Sequence, residues 1–126
     1  DELLAESDMI SLHCPLTPQS QGMFGLAQFE RMKQSAYLIN TARGGVIVTD
    51  DLWTALQNGE IAGAALDVFD PEPPDLSLPL YRDERVIVTP HAAFVSAQSI
   101  ARQISDMLQN QRPEHLVNPQ IWHDPQ

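Results

Sequence analysis

Four short apolar segments recur along the chain, separated by stretches in which apolar and polar residues alternate at helical spacing. Each apolar segment is bounded by proline, glycine or polar residues and is therefore a predicted strand. The four are Met9–His13, Ala36–Asn40, Ala64–Phe69 and Arg85–Thr89. The second is an almost unbroken apolar run, which is typical of a strand buried on both faces of a sheet.

Three other segments have the periodicity of amphipathic helices. Residues 26–33 carry apolar side chains three residues apart, and the segment after Thr49 has one apolar side. Its two early aspartates suit the positive end of a helix dipole. Thr49 is predicted to cap this helix and Gly59 to end it. The longest helix is predicted to run from Ser96 to just before Pro113.

The predicted order of elements, β-α-β-α-β-β-α, indicates an α/β fold with a parallel sheet and helices on both faces. Doubly wound sheets of this kind bind ligands beyond the carboxyl ends of their strands. Each predicted strand is followed there by a turn rich in polar residues, glycine or proline. The turns are His13–Pro15, Thr41–Gly45, Asp67–Pro74 and Pro90–Ala93. We therefore expect the functional residues to lie in these turns.

Charge and composition exclude several classes of partner. The chain has 17 acidic and 7 basic residues and a formal net charge of −10, whereas nucleic acids and anionic membranes require clustered Lys and Arg. No apolar run approaches the roughly 20 residues of a membrane span, and no signal-peptide pattern is present. The lone Cys14 fits a reducing compartment. We expect a cytoplasmic protein, and the start at Asp1 suggests a gene that begins upstream.

Three turns carry side chains suited to acid–base or carboxylate-binding chemistry. Arg43 follows a predicted buried strand and could hold a carboxylate through two hydrogen bonds, although a surface arginine fits the position equally. Glu72 lies between two prolines and could orient an imidazole, although a solvated loop acid would also fit. His91 follows the last strand, where a proton donor or a structural histidine are both consistent with the sequence.

The remaining polar residues at strand ends are less specific. Asp67 ends an apolar strand, where an acid needs a partner, and either a helix cap or an amide ligand would serve. Cys14 has no charged neighbour that would activate it, so an inert thiol is expected. The four histidines lack metal-ligand spacing, so no metal site is predicted. No serine lies in a G-x-S-x-G turn, so acyl transfer is not supported.

Four segments taken in order resemble the motifs of one protein family. They are SLHCPLTP at 11–18, MKQSAYLINTARGGVIV at 32–48, GAALDVFDPEPP at 63–74 and VTPHAAF at 88–94. The chain resembles the D-isomer-specific 2-hydroxyacid dehydrogenases. This resemblance implies hydride transfer between NAD or NADP and a small 2-keto acid of the glyoxylate, hydroxypyruvate or pyruvate type. It also implies a homodimer when full length. The alternative is a dinucleotide-sensing transcriptional corepressor of the same family.

The resemblance implies a role for individual residues. Arg43 matches the arginine that holds the substrate carboxylate, and His91 matches the residue that exchanges a proton with the carbonyl. Glu72 matches the carboxylate that hydrogen-bonds this histidine and favours its protonated form. Asp67 matches the residue on the nicotinamide side of the cofactor. The residues expected along the cofactor are His13, Cys14, Pro15, Thr41, Ala42, Arg43, Asp67, His91 and Ala93.

The sequence also lacks a motif that this family requires. No G-x-G-x-x-G fingerprint is present, and in the family this phosphate-binding turn lies upstream. We therefore expect residues 1–112 to form the C-terminal half of the dinucleotide-binding domain, which is half of a doubly wound Rossmann-type sheet with flanking helices. Residues 113–126 would return toward a substrate domain. By itself such a fragment is expected to be inactive and to expose an unpaired edge on its first strand.

Overall fold

Four parallel strands form a single sheet in which spatial order follows chain order. The computed structural model of the protein describes residues 2–92 together with Ser105 and Gln109. The strands are β1 (Met9–Leu12), β2 (Tyr37–Asn40), β3 (Gly63–Leu66) and β4 (Val86–Val88). Each strand pairs in parallel with the one next in sequence. The predicted α/β fold with a parallel sheet is confirmed, with strands slightly shorter than the apolar segments.

Short helices precede and connect the strands. They are α1 (Glu2–Glu6), α2 (Leu26–Phe29) and α3 (Thr49–Asn58), with 3-10 helices at Gly44–Val46 and Pro79–Arg82. α2 and α3 contact each other and therefore share one face of the sheet. The long helix predicted from Ser96 lies outside the described residues. Among the described helices, none has both the length and the apolar content needed to cross a membrane.

The core lies between the sheet and the pair α2 and α3. Two rows of side chains in register across the strands point into it. These rows are Ile10, Leu38, Ala64 and Val86, and Leu12, Asn40, Leu66 and Val88, all of them buried. Phe29, Leu52 and Leu56 pack on them from the helices. Asn40 is the polar member of these rows and is 1% exposed, which leaves its amide dependent on partners within the protein.

The prediction that the second strand is buried on both faces is wrong for the described structure. Tyr37 is 49% exposed and Ile39 is half-buried, whereas Leu38 is fully buried. Alternate residues of a strand point to opposite faces, and α2 and α3 cover only one of these faces. An unbroken apolar run therefore did not indicate equal burial on its two sides.

Two helix boundaries also differ from the predictions. Thr49 is the first helical residue of α3, and the cap position belongs to Val48, which has no side-chain hydrogen bond to offer. Helix α2 ends at Phe29, and residues 30–33 continue as turns. Gly59 ends α3 as predicted, in a left-handed conformation with φ of 73°, which glycine adopts without steric cost.

Candidate active site

The turns that follow β1 and β2 together line an open cleft of about 480 Å³. Its walls contain every cofactor residue predicted in these two turns, namely His13, Cys14, Pro15, Thr41, Ala42 and Arg43. Leu16 also lines the cleft. The cleft lies at the carboxyl ends of parallel strands, where a fold of this class binds ligands. Among the described residues its lining contains the cationic Arg43 and no acidic side chain, which suits an anionic ligand despite the acidic composition of the chain.

The buried amide of Asn40 shapes the turn that carries Arg43. Its Oδ1 accepts a hydrogen bond from the Ala42 N–H at 3.0 Å, and its Nδ2 donates to the carbonyl oxygen of Arg43 at 3.0 Å. The Arg43 Nη1 in turn donates to the Ala42 carbonyl at 2.7 Å. A buried side chain whose amide nitrogen and oxygen are both hydrogen-bonded thus sets the path of the main chain at Arg43.

Glu72 and His91 are hydrogen-bonded to each other at the same end of the sheet. The carboxylate Oε2 lies 3.0 Å from the imidazole Nδ1. The other oxygen, Oε1, accepts the Phe69 N–H at 2.9 Å. The Phe69 N–H, and after it His91, hold the pKa of Glu72 below its usual range. Glu72 is therefore ionised at neutral pH, with its two oxygens committed to different partners.

Asp67 secures the main chain on both sides of His91. It is 4% exposed, and its Oδ1 accepts hydrogen bonds from the Thr89 hydroxyl and, at 2.9 Å, from the Ala92 N–H. Between these two bonds His91 has a φ of 52°, a left-handed conformation that is uncommon outside glycine. The described contacts thus give the buried Asp67 carboxylate a hydroxyl and a main-chain N–H as partners.

The structure thus brings most of the predicted site residues to one edge of the sheet. The turn after β2 carries Arg43, and the loops after β3 and β4 bring together Glu72 and His91. Cys14 lies half-buried in the cleft wall as an unbonded thiol, and Ala93 lies outside the described residues. Among residues 2–92, no three His, Cys, Asp or Glu side chains are grouped as metal ligands.

Three residues that shape the site were missed in the sequence. Asn40 is polar at the end of an otherwise apolar strand, the same signal that drew attention to Asp67, and could have been found in this way. Phe69 contributes through its main-chain N–H, and no side-chain pattern marks a main-chain donor. Thr89, which donates to Asp67, sits at a strand end before a proline and gives no distinct signal.

The fold and the cleft define a Rossmann-type dinucleotide-binding unit. Residues 1–93 match the sequence profile of the D-isomer specific 2-hydroxyacid dehydrogenase, NAD binding domain. The chain belongs to this family, as its sequence motifs suggested. Because the matched unit is an NAD-binding domain, a nicotinamide dinucleotide is the cofactor class for which this fold is built.

Curated relatives are similar over nearly the whole chain. A glyoxylate reductase from Korarchaeum cryptofilum (strain OPF8) is 41% identical over 128 residues, which cover 96% of this chain and 39% of that protein. Glyoxylate/hydroxypyruvate reductase B from Salmonella newport (strain SL254) is 39% identical, with 95% of this chain and 39% of that protein covered. The chain spans about two fifths of the length of these relatives.

Solved structures show the same architecture. The NAD-complexed D-isomer specific 2-hydroxyacid dehydrogenase from Lactobacillus delbrueckii ssp. bulgaricus matches with a TM-score of 0.69 and 37% identity, covering 92% of this chain and 42% of that chain. The Xanthobacter autotrophicus Py2 enzyme, in complex with NADPH and MES, matches with a TM-score of 0.69 and 31% identity. That match covers 97% of this chain and 52% of the other.

Proposed function

We propose that this chain is part of a longer NAD(P)-dependent reductase that converts a small 2-keto acid to the D-2-hydroxy acid. The observation that carries the proposal is the Glu72–His91 hydrogen bond, with 3.0 Å between Oε2 and Nδ1, at the same edge of the sheet as the cleft that Arg43 lines. An oriented imidazole and a nearby guanidinium are the groups that carbonyl reduction of an anionic substrate requires. The similar glyoxylate and hydroxypyruvate reductases support the substrate class.

We further propose that residues 1–112 are the second half of the dinucleotide-binding domain and that residues 113–126 return toward a substrate domain. Within the described part of the chain β1 is hydrogen-bonded to β2 alone, so its other edge can receive the first half of the sheet. The whole protein would be a cytoplasmic homodimer that acts on small acids. Its net charge of −10 argues against nucleic acid and anionic membranes as partners.

Each of the three side chains has a distinct proposed task. The Arg43 guanidinium holds the carboxylate of the keto acid and polarises the neighbouring carbonyl. His91 meets Glu72 through Nδ1, so Nε2 is the nitrogen that gives a proton to the carbonyl oxygen during reduction and regains it during oxidation. Glu72 stabilises the charged imidazole between these events. Hydride transfer is the chemistry that the dinucleotide supplies when bound.

The cleft residues provide the means to hold that dinucleotide. His13, Cys14 and Pro15 line one wall, and Thr41 and Ala42 line the other. The small side chain of Ala42 leaves main-chain groups close to the cleft, and Arg43 adds the positive charge. Asp67 is expected on the nicotinamide side, and its hydrogen bond to the Ala92 N–H, one residue after His91, supports this expectation.

A spectrophotometric screen of the complete protein tests this function. NADH and NADPH would each be offered with glyoxylate, hydroxypyruvate and pyruvate, and at least one pair should show oxidation of the reduced cofactor. His91→Ala is the matched control, because it should abolish reduction while cofactor binding, followed by nucleotide fluorescence, stays nearly unchanged. Cofactor binding without turnover of any keto acid would contradict the proposal and favour the dinucleotide-sensing corepressor.

A further inference from the structure

The main chains at Gly44 and Phe69 touch with no room for a side chain between them. A Cβ built on Gly44 would overlap the carbonyl carbon and oxygen of Phe69 and would lie 2.5 Å from its Cα. These are backbone atoms, which cannot rotate away as the end of a side chain can. The turn that carries Arg43 is therefore packed directly on the strand-end loop that leads to Glu72.

Both partners in this contact are anchored elsewhere. The buried Asn40 bonds to the main chain just before Gly44. The Phe69 ring meets the buried Tyr81 edge-on, with ring centroids 5.6 Å apart and an interplanar angle of 84°. A side chain at Gly44 would have to displace one of these anchored segments, since neither can give way locally.

The same Phe69 residue holds the candidate general acid pair through its amide. Its N–H donates to Glu72 Oε1 at 2.9 Å, and Glu72 Oε2 lies 3.0 Å from His91 Nδ1. A continuous set of contacts thus runs from Gly44 through Phe69 and Glu72 to His91. Displacing the Phe69 amide would leave one of the two carboxylate oxygens without this hydrogen bond. The carboxylate could then rotate, and the imidazole that it orients would no longer be fixed.

We propose that Gly44 is a positioning residue that sets the distance between the Arg43 turn and the Glu72–His91 pair. Its effect on turnover rests on the proposed reductase function, whereas its effect on Glu72 does not. The Phe69 N–H is the strongest of the interactions that hold the pKa of Glu72 low. His91 and Arg43 are the charged groups that act on Glu72 besides this amide. Asp70 faces Gly45 instead.

Gly45 offers a matched control in the same 3-10 helix. A Cβ on Gly45 would meet Asp70 Oδ2 at 3.0 Å and Leu16 Cδ2 at 3.2 Å. Both atoms are the ends of side chains that can rotate away. Gly44→Ala and Gly45→Ala therefore add the same methyl group to adjacent positions of one turn, and only the first addition presses on the Phe69 main chain.

The experiment compares these two variants in the complete protein. The pH-dependent NMR shift of the Phe69 amide reports the ionisation of the carboxylate that it binds. In Gly44→Ala the pKa of Glu72 read in this way should rise toward its usual value, and kcat for reduction should fall on the order of 100-fold, as a misplacement of about 1 Å can cause. In Gly45→Ala the titration seen at the Phe69 amide should be unchanged, and kcat should stay within about twofold of that of the unsubstituted protein.

A double-variant cycle separates positioning from general damage. If Gly44 acts through Glu72, adding Gly44→Ala to Glu72→Gln should lower kcat by less than about twofold further. An additive loss, an unchanged Phe69 titration in Gly44→Ala, or a Gly44→Ala protein that does not fold while Gly45→Ala does, would each overturn the positioning role. If the unsubstituted protein has no reductase activity and Gly44→Ala still shifts the Phe69 titration, the positioning role is supported and the proposed function is refuted.

Discussion

Individual side chains at the candidate site are held in place largely by hydrogen bonds to the main chain. Asn40 bonds to the turn at Arg43, and the Phe69 amide bonds to Glu72. Asp67 bonds to the amide that follows the histidine. Such bonds fix the orientation of each group through main-chain partners, whose positions are set by the fold.

Glu72→Gln is expected to move the pH profile of reduction to lower pH. The lowered pKa of Glu72 means that the carboxylate is charged throughout the neutral range, where it stabilises the protonated imidazole. The neutral amide removes this stabilisation, so the proton-donating form is lost earlier as pH rises. The measurement is kcat/KM for the keto acid as a function of pH, and an unmoved profile would exclude Glu72 from the mechanism.

Arg43→Ala is expected mainly to raise KM for the keto acid and also to lower kcat. Loss of a charge-assisted hydrogen bond costs roughly 1.5–3 kcal/mol, which corresponds to about a 10- to 100-fold decrease in kcat/KM. Arg43→Lys keeps the charge without the two-pronged geometry and should recover only part of the loss. Steady-state kinetics with the keto acid varied at saturating cofactor would test this. An unchanged KM in both variants would place the substrate carboxylate elsewhere.

Among the secondary-structure elements, α3 and β4 are joined through Arg85. Its Nη1 donates to the Leu56 carbonyl near the end of α3, and its Nε and Nη2 donate to both oxygens of Asp83. The guanidinium thus closes the helix end and ties it to the segment that leads into the last strand. This clamp fixes where β4 begins, and hence where the turn carrying His91 emerges from the sheet.

Asp83→Asn is expected to lower the free energy of unfolding by about 1 kcal/mol at neutral pH, a value that allows for screening of the partly exposed pair. Arg85 holds the pKa of Asp83 below its ordinary value of 3.8. The stabilisation is therefore complete above that value and is lost as pH falls through the lower folded-state value. Denaturant unfolding at neutral and acid pH should show the variant and the unsubstituted protein converging in acid.

The ion pair between Asp8 and Lys33 provides the control for this measurement. Its N–O distance of 2.8 Å is close to the 2.7 Å between Arg85 Nη2 and Asp83 Oδ2, but the Asp8 side chain is 82% exposed. Asp8→Asn should change the free energy of unfolding by less than about 0.5 kcal/mol. Equal losses in Asp8→Asn and Asp83→Asn would show that the Arg85 clamp contributes no more than an exposed charge pair.

For the molecule as a whole, the described sheet is proposed to be one half of a larger one. Within the described residues β1 pairs with β2, and residues that line the cleft follow β1 at its carboxyl end. The fingerprint that cradles the pyrophosphate is absent from residues 1–126. We therefore propose that the part of the dinucleotide site formed by these residues serves the nicotinamide side, where proton transfer and substrate binding are proposed to occur.

Residues 1–126 by themselves are expected to bind NADH weakly or not at all, because the phosphate cradle supplies the N–H donors that anchor the cofactor. They should also self-associate through the open edge of β1. Calorimetric titration with NADH, alongside circular dichroism to establish folding and sedimentation to measure association, would test this. Micromolar NADH binding by the folded chain would contradict the expectation.

Much of the fold followed from local sequence signals. The four strands, the helix ended by Gly59 and the placement of candidate groups at strand ends were all predicted from apolar runs and turn residues. The cap at Thr49 was wrong because a cap depends on the path by which the chain enters the helix, and that path places Val48 there. The predicted burial of Tyr37 was wrong because burial depends on which elements pack against each face of the sheet.

The succession of strands and helices along the chain and the residue types at the strand ends are encoded locally, since hydrophobic period and turn chemistry act over a few neighbouring residues. The hydrogen bond of Glu72 with His91 joins residues 19 apart in the chain, and the contact of Gly44 with Phe69 joins two separate loops. No local signal encodes such distances. They arise because parallel pairing brings the carboxyl ends of successive strands to one edge, where main-chain packing and amide donors then fix each side chain.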